Sequence, residues 1–250
     1  KFGLDFFTGT TWRPNELERV VRDAAGKVVR DEDGNNVTEI IPPVFGALPV
    51  MYGTAVSSLI ALVLAVPLSF GAAIFLVRIA PRWLVAPVSF LVEFLAAIPS
   101  IAYGIFGLFV LAPWLQSTAQ PALRALLGDA PGFRWLFAET MADGRVIEFA
   151  SGRNMLCGGL ILAIMIIPII TAISRDVLSN VPRAQVEGPL ALGATWWQSC
   201  LEMLKYGRSA LFGAVILGLA RAAGETMAVA MVIGNANRID LSPLAPAQTM

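Results

Sequence analysis

From Phe45 onward the chain is a succession of long apolar runs separated by short polar links. Four of these runs are long enough to cross a bilayer as helices, at roughly 52–77, 83–111, 155–173 and 209–232. The second contains one acid, Glu93, and Pro99, so it reads as two pieces, a tilted helix followed by a re-entrant or broken one. Pro67 and Pro168 fall inside the first and third runs, where neighbouring helices take up the freed carbonyls, and they predict kinks. The fold class that follows is all-α, a polytopic transmembrane helical bundle.

The last run, SALFGAVILGLARAAGETMAVAMV, would span about 36 Å as a single helix, against a bilayer core of about 30 Å. Its only charges, Arg221 and Glu225, stand near its middle. A charge at the centre of a membrane helix costs at least about 2.5 kcal/mol, so such residues face a bundle interior or an aqueous path. A substrate path is the functional expectation, with a structural ion pair as the alternative. The two residues are four apart and share one helix face, so they can pair laterally. Gly218, Ala220, Ala222 and Gly224 surround them with small side chains that admit a neighbouring helix. Glu93, the third intramembrane charge, either pairs with Arg221 or snorkels to the interface.

Composition agrees with the pattern: 56% of residues are hydrophobic, 14% are charged, and mean hydropathy is +0.70. The eighteen basic and eighteen acidic residues balance, and no Lys/Arg run marks a nucleic-acid partner. Histidine is absent, which removes HExxH zinc sites, Ser-His dyads and imidazole bases together. An intramembrane enzyme is disfavoured, with no metal site and no cofactor expected. Cys157 and Cys200 fall on opposite sides of the bilayer, so no disulfide framework is expected. The chain begins at Lys1 without a signal-peptide pattern and reads as part of a longer protein.

Short-loop charge sets the orientation. Arg78 and Arg82 follow the first run, and Arg175, Arg183, Lys205 and Arg208 flank the third link, placing both links in the cytoplasm. Residues 1–47 and about 114–154 then lie outside. The outer N-terminal stretch carries six basic and eight acidic residues, a balanced polar segment of the kind that translocates regardless of charge. Asp33-Gly34 and Asp143-Gly144 each suggest a small hairpin. Asp31, Asp33 and Asn35 do not make a calcium loop, because Gly34 stands at the fourth position and Pro42 at the twelfth.

The cytoplasmic link 174–208, SRDVLSNVPRAQVEGPLALGATWWQSCLEMLKYGR, has apolar positions near helical spacing and predicts short amphipathic surface helices. Pro182 suits a first turn with Asn180 as its cap, and Gly193 suits a helix end.

This link resembles the signature of ABC importer permeases, Glu-Ala-Ala-x3-Gly, with Glu187 and Gly193 at the required spacing. Gly188-Pro189 replaces the Ala-Ala pair, and Lys205-Tyr206 replaces the usual Leu-Pro stop. The stretches FLVEFLAAIPSIAYGIFGLFVL, ILAIMIIPIITAISRDVLSNVP and GAVILGLARAAGETMAVAMVIGNA are similar to the PstC-type permeases of phosphate importers, a branch of the binding-protein-dependent transport inner-membrane components. The likeness covers most of the chain from Phe45. It implies a transmembrane domain over 48–250, lacking one helix at each end, with an extracytoplasmic segment before it. It implies that Arg183, Glu187, Leu192, Gly193 and Ala194 belong to a coupling helix that docks on cytoplasmic ATP-binding subunits. A second permease subunit, an extracytoplasmic phosphate-binding protein and membrane lipid are the other implied partners, in a multi-pass inner-membrane setting.

The resemblance further implies a path through Arg221, Glu225 and Glu93. An Arg fork matches phosphate oxygens, and Glu225 would hold that fork when phosphate is absent. Sulfate would accept the same fork, so a permease for another oxyanion such as sulfate or molybdate is the alternative. No phosphate-cradling Gly-x4-Gly-Lys-Ser/Thr occurs, so ATP hydrolysis is assigned to a separate chain and this one is a transport subunit, not an enzyme. An ion-driven secondary transporter would need no such coupling loop.

Overall fold

In the computed structural model of the chain, the described residues are 3, 5–13, 17–20, 28, 36, 38–127, 134–140, 146–148 and 151–249. Among them, four helices are long and apolar enough to cross a membrane. From Leu48 onward the α-helices in chain order are α1 (Leu48–Ile79), α2 (Arg82–Ala97), α3 (Ser100–Leu127), α4 (Met155–Ser179), α5 (Arg183–Ala191), α6 (Trp196–Ala223) and α7 (Met227–Val232). Only α1, α3, α4 and α6 pass the length test. The chain is an all-α polytopic protein, and among the described residues three two-stranded antiparallel ribbons lie outside the helices.

Helix α4 is the central post, buried for most of its length between α1 and α6. Its start is fixed by Asn154, whose Oδ1 accepts the Cys157 N–H at 2.8 Å. Helix α1 turns the residues Ser57, Ala61, Ala65, Ser69 and Ala73 inward, one per four residues, and so offers a seam of small side chains along which α4 packs closely. On α4, Gly159 receives Ile60 and the Ser57 carbonyl. Pro67 and Pro168 both sit inside continuous helices. Near them Ser69 Oγ donates to the Ile167 carbonyl at 3.2 Å, so the two proline-bearing regions meet.

The second crossing corrects the sequence expectation. The chain breaks at Ile98-Pro99, as the proline implied, but the spanning helix begins after the break and runs to Leu127, and α2 before it has no buried residue. Proline lacks the N–H and disfavours α geometry at the preceding residue, and Ile98 is extended (ψ 133°). The fourth crossing shifts the other way, starting at Trp196 and ending at Ala223 rather than covering 209–232. Its start is a capping box, with Thr195 Oγ1 accepting from Gln198 N–H and Gln198 Oε1 accepting from Thr195 N–H.

The link between α4 and α6 holds a single nine-residue helix, α5. Asn180 closes α4 instead of opening α5, whose cap position is Pro182. Helix α5 passes through Gly188-Pro189, and α6 runs unbroken through Lys205-Tyr206. Ser199 Oγ donates to the Val186 carbonyl at 2.7 Å, and Val186 packs with Ala73, Leu178, Met203 and Leu211, which ties the link to three crossings. Gly193 ends it at φ +87°, a left-handed turn that suits glycine.

At the opposite end, residues 234–249 form a strap across the helix ends. Gly234 (φ +96°) turns the chain out of α7 where a Cβ would overlap Pro246. The carbonyls of Ala245 and Pro243 then accept the Met155 and Leu156 N–H groups, Tyr52 Oη donates to the Asp240 carbonyl, and the Gln248 carbonyl presses on Gly53. Strands Ala138–Thr140 and Val146–Glu148 pair around the position of the Asp143-Gly144 turn. Strands Leu17–Val20 and Thr38–Ile41 form a wider ribbon than one centred on Asp33-Gly34. Both Asp-Gly turns themselves lie outside the described residues.

Candidate functional site

Arg221 and Glu225 lie where the fourth crossing breaks. Helix α6 ends at Ala223 with Gly224 as its cap residue, Glu225 and Thr226 leave helical pairing, and α7 restarts at Met227 for six residues. The single continuous helix expected from hydropathy is therefore two pieces. A glycine followed by two residues able to bond the backbone is a stop signal that hydropathy alone passes over.

The break is packed against the bundle on one side, with Ala222, Glu225 and Ala228 buried and Gly224 and Thr226 exposed. Gly218 packs against Ile170 and Ile166 of α4, which stand about 16 to 22 Å from Met155 along a 25-residue helix. Ala222 and Val229 join the core around Leu162 and Ile166. On the far side of α7, Gly104 of α3 lies against Ala228 and Met231, and Tyr103 Oη donates to the Leu95 carbonyl at 2.8 Å, bridging the Pro99 break. Two interrupted helices thus face each other. Tyr103 and the half-helix α7 were not legible as site elements; the clue was the coincidence of Pro99 in one run and Gly224 in another.

Glu225 is buried, its side chain 7% exposed. One oxygen, Oε1, accepts the Ala228 N–H at 3.3 Å and thereby caps α7; the other, Oε2, lies 3.8 Å from Arg221 Nη2. That separation is an ion pair without a hydrogen bond, and among the described residues no hydrogen bond engages the Arg221 guanidinium. The Arg221 side chain is 44% exposed, on the side of α6 where Ile216 and Leu217 are also uncovered. The arrangement is a fixed carboxylate beside an accessible arginine.

Glu93 is placed elsewhere. It lies on α2, where Oε1 accepts from Arg175 Nη2 at 3.3 Å, and Arg175 also holds Asp176 at 2.8 Å. The Glu93 partner is therefore Arg175 and not Arg221, because the turn at Ile98-Pro99 holds α2 against α4. Of the small residues around the pair, Gly218 and Ala222 meet α4, while a side chain on Gly224 would meet only carbonyls of α6 itself. On the link between α4 and α6, Glu187 lies in α5, Arg183 opens it, and Leu192, Gly193 and Ala194 form the turn that follows, with Leu192 91% exposed. Cys157 and Cys200 are buried, free thiols near opposite ends of the bundle.

Four apolar helices long enough to cross a membrane, two of them adjoining helix breaks, define a polytopic α-helical membrane protein, with a buried carboxylate and an accessible arginine at one of the breaks. Residues 65–245 match the family of binding-protein-dependent transport system inner membrane components, and the chain belongs to that family. It is accordingly a multi-pass inner-membrane component of a transport system. Relatives include phosphate transport system permease proteins PstC of Mesorhizobium japonicum, 42% identical over the whole chain and 66% of the relative, and of Xylella fastidiosa strain 9a5c, 42% identical over 99% of the chain and 66% of the relative. That of Pasteurella multocida is 44% identical over 82% of the chain and 62% of the relative. The chain thus spans just under two thirds of the length of these relatives.

Proposed function

We propose that the chain is the permease subunit of an ATP-driven phosphate importer. The observation that carries this reading is Arg221, an accessible arginine at a helix break beside the buried carboxylate of Glu225. A guanidinium offers paired N–H groups to a tetrahedral oxyanion, and a low-dielectric setting strengthens that contact. The relatives' names supply the anion, phosphate.

Glu225 sets how tightly the anion is held. Its carboxylate is tied to the α7 backbone, so it stays in place while Arg221 turns from it to the phosphate. The nearby negative charge weakens the bound state and keeps release possible. A second related permease covers the exposed side of α6 and completes the path.

Coupling to the energy source runs through α5 and the Leu192–Ala194 turn, which docks in a cytoplasmic ATP-binding subunit. The buried face of α5, through Val186 and the Ser199 hydrogen bond, passes that movement to α1, α4 and α6. Nucleotide binding biases the bundle between outward- and inward-open states by its differential affinity for them. A soluble phosphate-binding protein delivers the anion at the end closed by the 234–249 strap.

The test is ATP-dependent uptake of labelled phosphate by vesicles holding the full-length protein with its partners, comparing wild type with Arg221→Gln at matched assembly. Uptake competed by phosphate but not by sulfate, and lost in the variant, supports the reading. Uptake unchanged in the variant makes Arg221 a structural charge, and preference for sulfate or molybdate moves the substrate to another oxyanion.

A further inference from the structure

A hollow of about 430 Å³ opens between the outer half of α3 and the segment leading into α4, and its wall includes Leu108, Ala112, Gln116, Ser151 and Arg153. We propose that it is a second oxyanion site, separate from Arg221, that binds a phosphate group held by Arg153. The phosphate is either that of a phospholipid headgroup or free inorganic phosphate.

The segment that presents Arg153 is firmly fixed. Gly152 is pressed on the Ala112 backbone so closely that a Cβ there would overlap its carbonyl. The Ser151 carbonyl accepts from Gln120 Nε2 at 3.0 Å and from Asn154 Nδ2 at 3.2 Å, anchoring it to α3 and to the α4 cap together. Ser151 Oγ accepts the Arg153 N–H at 3.2 Å, which leaves the hydroxyl proton available to an outside acceptor. With the Gln116 amide and the Arg153 guanidinium, three kinds of donor line one concavity.

No carboxylate among the described residues lines it. Among the described residues, no hydrogen bond or ion pair engages the Arg153 guanidinium. Arg238, at the same end of the bundle, instead lies 3.9 Å from Asp240 Oδ2. An arginine in a hollow lined by Ser, Gln and Arg donors favours an anion, and its fork suits two oxygens of one phosphate. The position adds a second argument. Arg153 directly precedes the α4 cap, so it stands where the first turn of a spanning helix leaves the membrane. The apolar part of the wall, Leu108 and Ala112, leads from there along α3 toward the level of Val232 and Ile161. A headgroup would sit at the rim with its glycerol against that wall, whereas free phosphate would use the rim alone.

The experiment uses the full-length protein with its partners, in an Arg221→Gln background so that the central arginine contributes nothing. One arm measures retention of phosphatidylglycerol by native mass spectrometry after exchange from vesicles of phosphatidylglycerol and phosphatidylcholine. The other measures equilibrium binding of labelled inorganic phosphate in a phosphate-free maltoside detergent. Arg153→Gln is expected to weaken one of the two by about tenfold or more, with Arg153→Lys recovering part of it and reporting on assembly. Loss in the first arm names the headgroup as occupant, and loss in the second names free phosphate. Wild-type levels of both in Arg153→Gln, or no binding of either by the parent, overturns the site.

Discussion

Glu225 divides its two oxygens between two tasks: Oε1 accepts the Ala228 N–H at 3.3 Å, and Oε2 stands 3.8 Å from Arg221 Nη2. The shorter contact holds the start of α7, and the longer one leaves the arginine available. Charge and capping are therefore separable by mutation. Glu225→Gln keeps an acceptor for Ala228 and removes the charge, whereas Glu225→Ala removes both. Loss of a helix cap costs about 1 kcal/mol. The alanine variant should consequently unfold at a lower temperature than the glutamine variant by about that equivalent, measured on the assembled complex in detergent. Equal midpoints for the two would show that the cap carries no stability.

Two glycines of α1 predict opposite outcomes. A Cβ on Gly53 would run into the Gln248 carbonyl, while a Cβ on Gly71 meets nothing within 4 Å. Gly53→Ala should cost about 1–3 kcal/mol through forced displacement of the 234–249 strap. Gly71→Ala should be neutral or stabilise by up to about 1 kcal/mol, because glycine in a helix interior is less favourable than alanine. Thermal unfolding of the two variants side by side checks both signs, and hydrogen exchange at 244–247 should rise only in Gly53→Ala.

The contrast between these positions shows what sequence could and could not reveal. Helix existence was legible because spanning a membrane demands about twenty apolar residues, a signal that survives one charge or one proline. Helix limits were less so. Trp196 to Arg208 carries Glu202, Lys205 and Arg208, and reads as a surface link by hydropathy, yet a capping box starts α6 there and its apolar positions Met203 and Leu211 reach the core. The outer half of α3, LQSTAQPALRALL, is similarly too polar for a hydropathy window to extend the second crossing past Leu111. At the candidate site, the pair itself followed from its i, i+4 spacing, but the break beneath it did not. Glu93 reads by hydropathy as a charge inside the second run, whereas it lies on α2, which is not among the spanning helices, and its pairing with Arg175 depends on how the Pro99 turn directs α2, which is a tertiary fact.

The Glu93–Arg175 contact should contribute little to stability. Glu93 is 60% exposed, and the same Arg175 nitrogen lies closer to Asp176, 2.8 Å against 3.3 Å. Exposed pairs of this kind are worth about 0.2–1 kcal/mol, and removing Glu93 leaves Arg175 paired. A double-mutant cycle with Glu93→Gln and Arg175→Gln should give a coupling energy in that range. A value above about 2 kcal/mol would mean that another chain covers the pair and excludes water.

The turn after α5 separates stability from coupling. Leu192 is 91% exposed and stands immediately before Gly193 at φ +87°, and a Cβ on Gly193 would meet nothing within 4 Å. A large apolar side chain so placed contributes nothing to the fold of this chain, so Leu192→Asp should change stability by less than about 0.5 kcal/mol. Gly193→Ala should cost about 1 kcal/mol from backbone strain alone, since space is free but the left-handed conformation is not. If the turn is the surface that meets an ATP-binding subunit, Leu192→Asp should abolish ATP-driven uptake and release the ATP-binding chain on size-exclusion chromatography, with the melting temperature unchanged. Gly193→Ala, which keeps Leu192, should retain the complex. Full uptake by Leu192→Asp would remove this leucine from the coupling surface and leave α5 to act through Arg183 and Glu187 alone.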